Sequence, residues 1–185
     1  MPTTVAVLFI QSIISNLKIN TKDIAITFFG IAYVVGFAVF IPLIYSMENG
    51  KIIIWYLFGI SWGTDTFAFL IGKNFGNHKF TPISPKKSIE GCIGGIIGAV
   101  LVTVVYTYFM NKFFASSYSY LSIVLLSSVL SILSQIGDLA ASTIKRYVNI
   151  KDYGNILPGH GGMLDRIDSL IFIAPFLYAI FSFVM

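Results

Sequence analysis

The sequence predicts an all-α polytopic membrane protein with about five transmembrane helices, and three observations support this fold class. Of its 185 residues, 56% are hydrophobic and 11% are charged, whereas soluble domains carry about 25% charged residues. The apolar residues form runs long enough to cross a bilayer, for which about 20 residues are needed. The charged residues are concentrated in short connectors between those runs.

Five apolar runs are predicted to cross the membrane, and a shorter apolar segment precedes them. That segment, residues 5–17, is too short to cross the bilayer. We therefore expect a short apolar or interfacial segment over residues 1–23 and a single transmembrane domain over 24–185. The single cysteine, Cys92, excludes an internal disulfide. The predicted spans are residues 23–46, 52–72, 91–110, 118–137 and 167–184.

The basic residues indicate which side of the membrane each connector faces. Five spans place ten Lys and Arg residues on one side and two, Lys51 and Lys112, on the other. Because cytoplasmic loops carry the excess of positive charge, the first side is predicted to be cytoplasmic and the C-terminus extracytoplasmic. Basic residues confined to short connectors also argue against nucleic acid as a partner. The ten are Lys18, Lys22, Lys73, Lys79, Lys86, Lys87, Lys145, Arg146, Lys151 and Arg166.

The strongest candidate site lies in residues 135–168, which hold four of the eight carboxylates and four of the twelve Lys and Arg residues. A helix continuing from Asp138 would place Ser142, Lys145 and Arg146 on one face. Residues 153–162 contain four glycines and a proline, which disfavour regular helix and let the backbone approach a ligand closely.

Two carboxylates, Asp165 and Asp168, lie three residues apart at the start of the last apolar run and so share a helix face. A basic helix, a glycine-rich turn and two aligned carboxylates suit a polyphosphate with its divalent metal. The alternative for both aspartates is ordinary capping of a helix N-terminus. His160, between glycines, could donate to a phosphate or could be a solvated loop residue. The sequence has no zinc-ligand spacing, Walker motif or dinucleotide-binding motif.

Further polar residues interrupt or precede other spans. Asp65 lies inside the second span, where an aspartate costs up to roughly 2.5–3.5 kcal/mol. It is either a metal or substrate ligand or a carboxyl group that bonds one helix to another. Ser84 and Pro85 are predicted to be the N-cap and first-turn proline of the third span. Lys86 and Lys87 would then oppose the helix dipole unless an anion binds there. The alternative is that they only reflect the positive-inside rule. The glycines of residues 91–98 are interpreted as close helix packing.

Three stretches resemble one family, the phosphatidate cytidylyltransferases (CDP-diacylglycerol synthases). Residues 142–168 read S-T-I-K-R-x4-K-D-x-G-x3-P-G-H-G-G-x-L-D-R-x-D, which is similar to the signature of that family. Residues 62–73, W-G-T-D-T-F-A-F-L-I-G-K, and S-P-K-K with Glu90-Gly91 also resemble conserved blocks of the family. The resemblance covers about residues 24–185, and the further N-terminal spans that full-length members usually carry are not seen in this sequence.

The resemblance implies an enzyme in the plasma membrane that converts CTP and phosphatidate into CDP-diacylglycerol and pyrophosphate at a cytoplasm-facing site. It also implies Mg²⁺, a monovalent cation and a homodimer. Asp138 and Asp165 are the first-choice Mg²⁺ ligands, with Asp65 and Asp168 as second choices. The expected charge-neutralising residues for the triphosphate are Lys145, Arg146, Lys151 and Arg166. The expected substrate-binding residues are Ser84, Lys86, Lys87, Ser142, Asp152, His160, Gly161 and Gly162.

Other functions remain open at this point. A CTP-dependent lipid kinase of the dolichol-kinase type has a similar core, and a CDP-archaeol synthase is a second enzymatic alternative. A small transporter or a non-catalytic membrane partner belongs to a different class. A transporter places its polar site near the membrane midplane, whereas the ionisable residues here crowd toward the predicted cytoplasmic ends of the spans.

Overall fold

The structure is a computed structural model that describes residues 2–15, 20–81, 84–114, 118–150, 152–154 and 162–183. Seven helices and one two-stranded hairpin follow one another along these residues. They are α1 (Pro2–Ile14), α2 (Thr21–Ala38), α3 (Phe40–Tyr45), α4 (Gly50–Phe75), β1 (Lys79–Thr81), β2 (Ser84–Ser88), α5 (Ile89–Phe113), α6 (Tyr120–Tyr147) and α7 (Leu164–Phe183).

Five helical stretches are long and apolar enough to cross a membrane, which confirms the predicted fold class. The first, Thr21–Tyr45, combines α2 and α3 and is interrupted at Val39, three residues before Pro42. A proline lacks the N–H that a continuous helix would use, so a break close to it is expected. The other four stretches are α4, α5, α6 and α7. Part of the predicted N-terminal segment, Pro2–Ile14, forms α1, which packs against α2.

The helices extend beyond the apolar runs from which they were predicted. The largest extension is that of α6, which continues past residue 137 to Tyr147. Hydropathy marks only the part of a helix that lies in lipid, whereas its backbone hydrogen bonds continue into the polar connector. Residues 138–147 therefore form the helical extension that the spacing of Ser142, Lys145 and Arg146 predicted.

The connector between α4 and α5 contains a hairpin that the sequence analysis did not predict. Strand β1 pairs antiparallel with β2, with Thr81 opposite Ser84. The prediction that Ser84 caps a helix is therefore wrong. The helix cap is Ser88, whose Oγ accepts a hydrogen bond from the backbone N–H of Gly91 at 3.1 Å. Pro85 lies on a two-stranded sheet, where every strand is an edge and a missing N–H is tolerated.

Helix α4 packs most extensively on α5, and glycines allow this close approach. Gly91, Gly94, Gly95 and Gly98 are all buried on α5. A Cβ atom on Gly95 would lie 3.0 Å from the carbonyl oxygen of Thr64, and one on Gly91 would lie 2.8 Å from that of Ala68. These distances confirm that the glycine stripe serves helix packing.

Buried hydroxyl groups fix α4 against α6 and α7. Thr64 donates to Ser131 of α6 at 2.8 Å, and Ser61 and Ser169 of α7 share a hydrogen bond of 2.9 Å. Because water is absent from a bilayer core, polar groups there must find protein partners. These contacts hold three helices in register at the level of Asp65, which lies one residue after Thr64.

Candidate active site

A cavity of about 330 Å³ lies where α4, β2, α5, α6 and α7 converge. It contains six of the residues predicted to form the site, including all four of the predicted metal ligands. They are Asp65, Ser84, Lys87, Asp138, Asp165 and Asp168. Six further residues, which the sequence analysis did not assign to a site, complete the lining. They are Ala68, Phe69, Ser88, Gly91, Cys92 and Gln135.

The hairpin brings Lys87 to the side of α6. Its Nζ lies 2.6 Å from Oδ2 of Asp138 and donates to the backbone carbonyl of Gln135 at 3.4 Å. The Gln135 side chain in turn donates to the carbonyl of Cys92 at 3.1 Å, which joins α6 to α5. Strand β2 thus places the Lys87 ammonium group at one wall of the cavity, where Asp138 neutralises its charge.

A second ion pair joins α6 to the start of α7. Nζ of Lys145 lies 2.6 Å from Oδ1 of Asp165, and both side chains are only about one tenth exposed (11% and 10%). Oδ2 of Asp165 accepts hydrogen bonds from the backbone N–H groups of Tyr153 at 2.8 Å and Gly162 at 3.0 Å. Tyr153 and Gly162 both precede α7. Asp165 therefore binds residues of the α6–α7 connector and does not simply cap its own helix.

The residues around the Lys145–Asp165 ion pair pack closely against one another. A Cβ atom on Gly162 would lie 2.8 Å from the backbone nitrogen of Gly154, so glycine is required at this contact. The Tyr153 hydroxyl donates to the carbonyl of Ala141 at 3.1 Å. Burial raises the pKa of Tyr153, and the negative charges of Asp168 and Asp165 raise it further. The shift favours the protonated hydroxyl that donates this hydrogen bond.

The other two carboxylates meet through Ser169. Its hydroxyl donates to Oδ2 of Asp65 at 3.2 Å, and its backbone N–H donates to Oδ1 of Asp168 at 2.7 Å. Asp168 is 5% exposed. Asp65 therefore makes the helix-to-helix hydrogen bond that was one of its two predicted roles. It also lines the cavity, as the other role requires.

The donor set is compatible with Mg²⁺. Within the described ranges, no three Asp, Glu, His or Cys side chains converge on a single metal position. Mg²⁺ does not require three, because it is commonly held by one or two carboxylates together with water and substrate phosphates. The salt bridges found among the described residues of the cavity involve Asp138 and Asp165. Asp65 and Asp168 are thus the carboxylates whose oxygens are less engaged by cations.

The other predicted residues that the structure describes do not line the cavity. Ser142 is half-buried on α6, while Arg146, Asp152 and Arg166 are exposed. Gly162 is buried and holds Asp165, as described above. Lys86 lies on β2, but its side chain is outside the described part of the structure, as are residues Lys151, His160 and Gly161. Of the residues missed, Gln135 could have been found, because it lies three residues before Asp138 on the same helix face.

The fold and the cavity define a polytopic α-helical membrane protein with a charged site at one end of its spans. Over residues 1–184 the chain matches the sequence model of the cytidylyltransferase family. The chain belongs to this family.

Similar proteins carry the name phosphatidate cytidylyltransferase. The one from Staphylococcus haemolyticus is 39% identical over 173 residues, which cover 92% of this chain and 64% of that protein. The one from Staphylococcus aureus is 41% identical over 168 residues, or 90% of this chain and 62% of that protein. The Bacillus subtilis protein is 41% identical over 139 residues, or 73% and 50%. The chain thus spans less than two thirds of the length of these relatives.

Proposed function

We propose that this chain transfers the cytidylyl group of CTP to phosphatidate, giving CDP-diacylglycerol and pyrophosphate. The observation that carries this proposal is that Lys87 and four carboxylates line one cavity at an end of the membrane spans, and that Lys145 is paired with one of those carboxylates, Asp165. The names of the similar proteins support it. A charged cavity within a lipid-facing bundle suits a reaction between a water-soluble nucleotide and a membrane lipid.

The reaction exchanges one phosphoanhydride for another. An oxygen of the phosphatidate phosphate forms a bond to the α-phosphorus of CTP. The bond from that phosphorus to the oxygen bridging the β-phosphorus breaks, and pyrophosphate leaves with the electron pair. Such a transfer depends mainly on holding the reactants in line and neutralising the charge on their phosphoryl oxygens.

Two lysines supply positive charge for this purpose: Lys87 lines the cavity, and Lys145 is paired with the lining residue Asp165. Before substrate binds, Lys87 is neutralised by Asp138 and Lys145 by Asp165. A triphosphate entering the cavity competes with these aspartates for the ammonium groups. The exposed Arg146 and Arg166 lie at the adjoining ends of α6 and α7, where they would attract the nucleotide from solution.

The carboxylates fit a role in holding Mg²⁺. Asp65 and Asp168 are the better placed pair, because Ser169 orients both and neither is engaged by a lysine among the described residues. Asp138 and Asp165 become available when the triphosphate draws away their lysines. When bound, Mg²⁺ would neutralise the charge that develops on the leaving pyrophosphate.

We further propose that the cavity opens to the cytoplasm of a plasma-membrane protein. The ten-to-two distribution of basic residues supports this orientation. CTP is a cytoplasmic nucleotide, so the site must be reachable from that side.

The purified chain can be tested with CTP labelled at either the α- or the γ-phosphorus, together with phosphatidate and Mg²⁺. A cytidylyltransferase transfers the α-label to lipid and releases the γ-label as pyrophosphate. A CTP-dependent lipid kinase would place the γ-label in the lipid, provided that diacylglycerol or a polyprenol is supplied as acceptor. Lipid labelled only from the γ-position would overturn the proposal.

A further inference from the structure

A second, apolar cavity of about 200 Å³ lies between α4 and α5. Trp55, Phe58, Gly59 and Trp62 line it from α4, and Val102, Thr103 and Tyr106 line it from α5. The Thr103 hydroxyl donates to the carbonyl of Ala99 within its own helix. Both tryptophans are more than half exposed on the surface of the bundle (57% and 54%). The groove is therefore open to the acyl chains of the surrounding bilayer.

The aromatic side chains that line the groove pack against one another. The ring centroids of Trp55 and Phe58 lie 5.9 Å apart, and those of Phe58 and Trp62 lie 5.0 Å apart. Gly59 and Val102 form the base of the groove, where α4 has no side chain between the two helices. A Cβ atom added to Gly59 would be in van der Waals contact with Cγ1 of Val102, at 3.4 Å. The Tyr106 hydroxyl is turned away to the carbonyl of Ile52, to which it donates at 3.0 Å. No polar atom of the tyrosine is thus left to interrupt the apolar surface.

The apolar groove continues along the helix face that leads to the polar cavity. Trp55, Phe58, Trp62, Asp65 and Phe69 are spaced three or four residues apart, so they form one stripe along α4. The first three line the groove, and the last two line the polar cavity. Asp65 and Trp55 are ten residues apart, or about 15 Å along the helix. This is half of the roughly 30 Å hydrocarbon thickness.

We infer that the groove binds one acyl chain of the lipid substrate while the phosphate of the same molecule lies in the polar cavity. This inference rests on the proposed function. If the groove holds an acyl chain, Trp62 and Val102 determine which acyl-chain lengths the protein prefers. A chain that lies against the stripe contributes binding only if it is long enough to pass Trp62, so short-chain phosphatidates lose this contact.

The first test uses fluorescence and needs no turnover. Both tryptophans of the chain line the groove, so intrinsic tryptophan emission reports directly on its occupant. Phosphatidate brominated on its acyl chains is titrated into the protein in detergent micelles, and phosphatidylcholine brominated in the same way is the comparison. We expect phosphatidate to quench saturably and more strongly than phosphatidylcholine at equal mole fraction. Equal quenching would show ordinary boundary lipid, and no quenching by either would show that protein covers the groove; both overturn the inference.

The second test fills the groove. Val102→Phe narrows it, and Val129→Phe is the matched control on the exposed face of α6, outside both cavities. Loss of contact with about two methylenes corresponds to roughly a tenfold change. We therefore expect Val102→Phe to raise the KM for dioleoyl phosphatidate about tenfold. The KM values for dihexanoyl phosphatidate and for CTP should not change. Equal effects of Val102→Phe on both lipids, or equal effects of the two variants, would contradict the assignment.

These tests separate the inference from the proposed function. If wild-type protein transfers no label from CTP to any phosphatidate, the proposed function fails, but preferential quenching by phosphatidate can still be measured. If transfer occurs and quenching shows no preference, only the acyl-chain site fails.

Discussion

Nζ of Lys145 and Oδ1 of Asp165 lie 2.6 Å apart, and each side chain is only about one tenth exposed. The pair joins the last turn of α6 to the first turn of α7 across the glycine-rich connector. The second oxygen of Asp165 is bonded to the backbone of Tyr153 and Gly162. One carboxylate therefore stabilises the connector and also presents its charge to the cavity.

Asp165→Asn should reduce both stability and turnover. Asparagine keeps the size of the side chain and can accept one of the backbone hydrogen bonds, but it leaves the Lys145 ammonium group buried without its anion. Removing one partner of a buried ion pair typically destabilises a protein by about 3–5 kcal/mol. Thermal unfolding in detergent and CMP transfer together test this expectation, and wild-type values for both would show that the ion pair is unimportant.

The double variant Lys145→Met with Asp165→Asn separates the two effects. Because replacing both partners of a buried ion pair is often close to neutral, we expect most of the melting temperature to return. Turnover should stay low, since Lys145 is also proposed to contact the triphosphate. Recovery of turnover together with stability would mean that the pair has only a structural role.

Lys87→Met should lower turnover about 100- to 1000-fold, the usual effect of removing one preorganised electrostatic contact. The matched control is Lys112→Met, which removes a lysine at the opposite end of α5, where Lys112 lies near the rings of Tyr108 and Phe113. Steady-state kinetics with CTP as the varied substrate provide the comparison. A similar loss in both variants would point to a general charge effect instead of a contact in the cavity.

The membrane spans could be predicted from the sequence because hydropathy depends on composition over many residues. The pairing of Lys87 with Asp138 could not, because it depends on the β1–β2 hairpin, whose strands are too short for an alternating pattern. The segment Ser84–Pro85–Lys86–Lys87 has the residue types of a helix start, but the pairing of Ser84 with Thr81 places it in a strand. The role of Ser169 was likewise hidden, since it depends on the register of α4 against α7.

Removing divalent metal should abolish turnover without unfolding the protein. The reason is the oxygen-only donor set of Asp65, Asp138, Asp165 and Asp168 around the cavity. Excess chelator is added during CMP transfer, and circular dichroism is recorded on the same sample. Activity should return when Mg²⁺ is restored, whereas turnover that persists in chelator would exclude a metal-dependent reaction.

The proposed orientation predicts that Asn77, in the α4–α5 connector, faces the cytoplasm and that Lys112 faces the opposite side. Both residues are exposed. Each is replaced singly by cysteine in a Cys92→Ser background and treated with a membrane-impermeant thiol reagent on intact cells. Lys112→Cys should be labelled, and Asn77→Cys should be labelled only after the cells are opened. The reverse pattern would invert the topology and place the cavity on the wrong side for CTP.

The most direct measurement is transfer of α-labelled CMP from CTP to phosphatidate by the purified chain alone, compared with the variant Asp65→Asn. Asp65 lines the cavity and is held by Ser169, and its substitution leaves both lysine–aspartate pairs in place. We predict labelled CDP-diacylglycerol with the wild-type chain and at least about 100-fold less with Asp65→Asn at equal folded protein. Absence of labelled lipid with the wild-type chain, or equal transfer by the variant, would contradict the account.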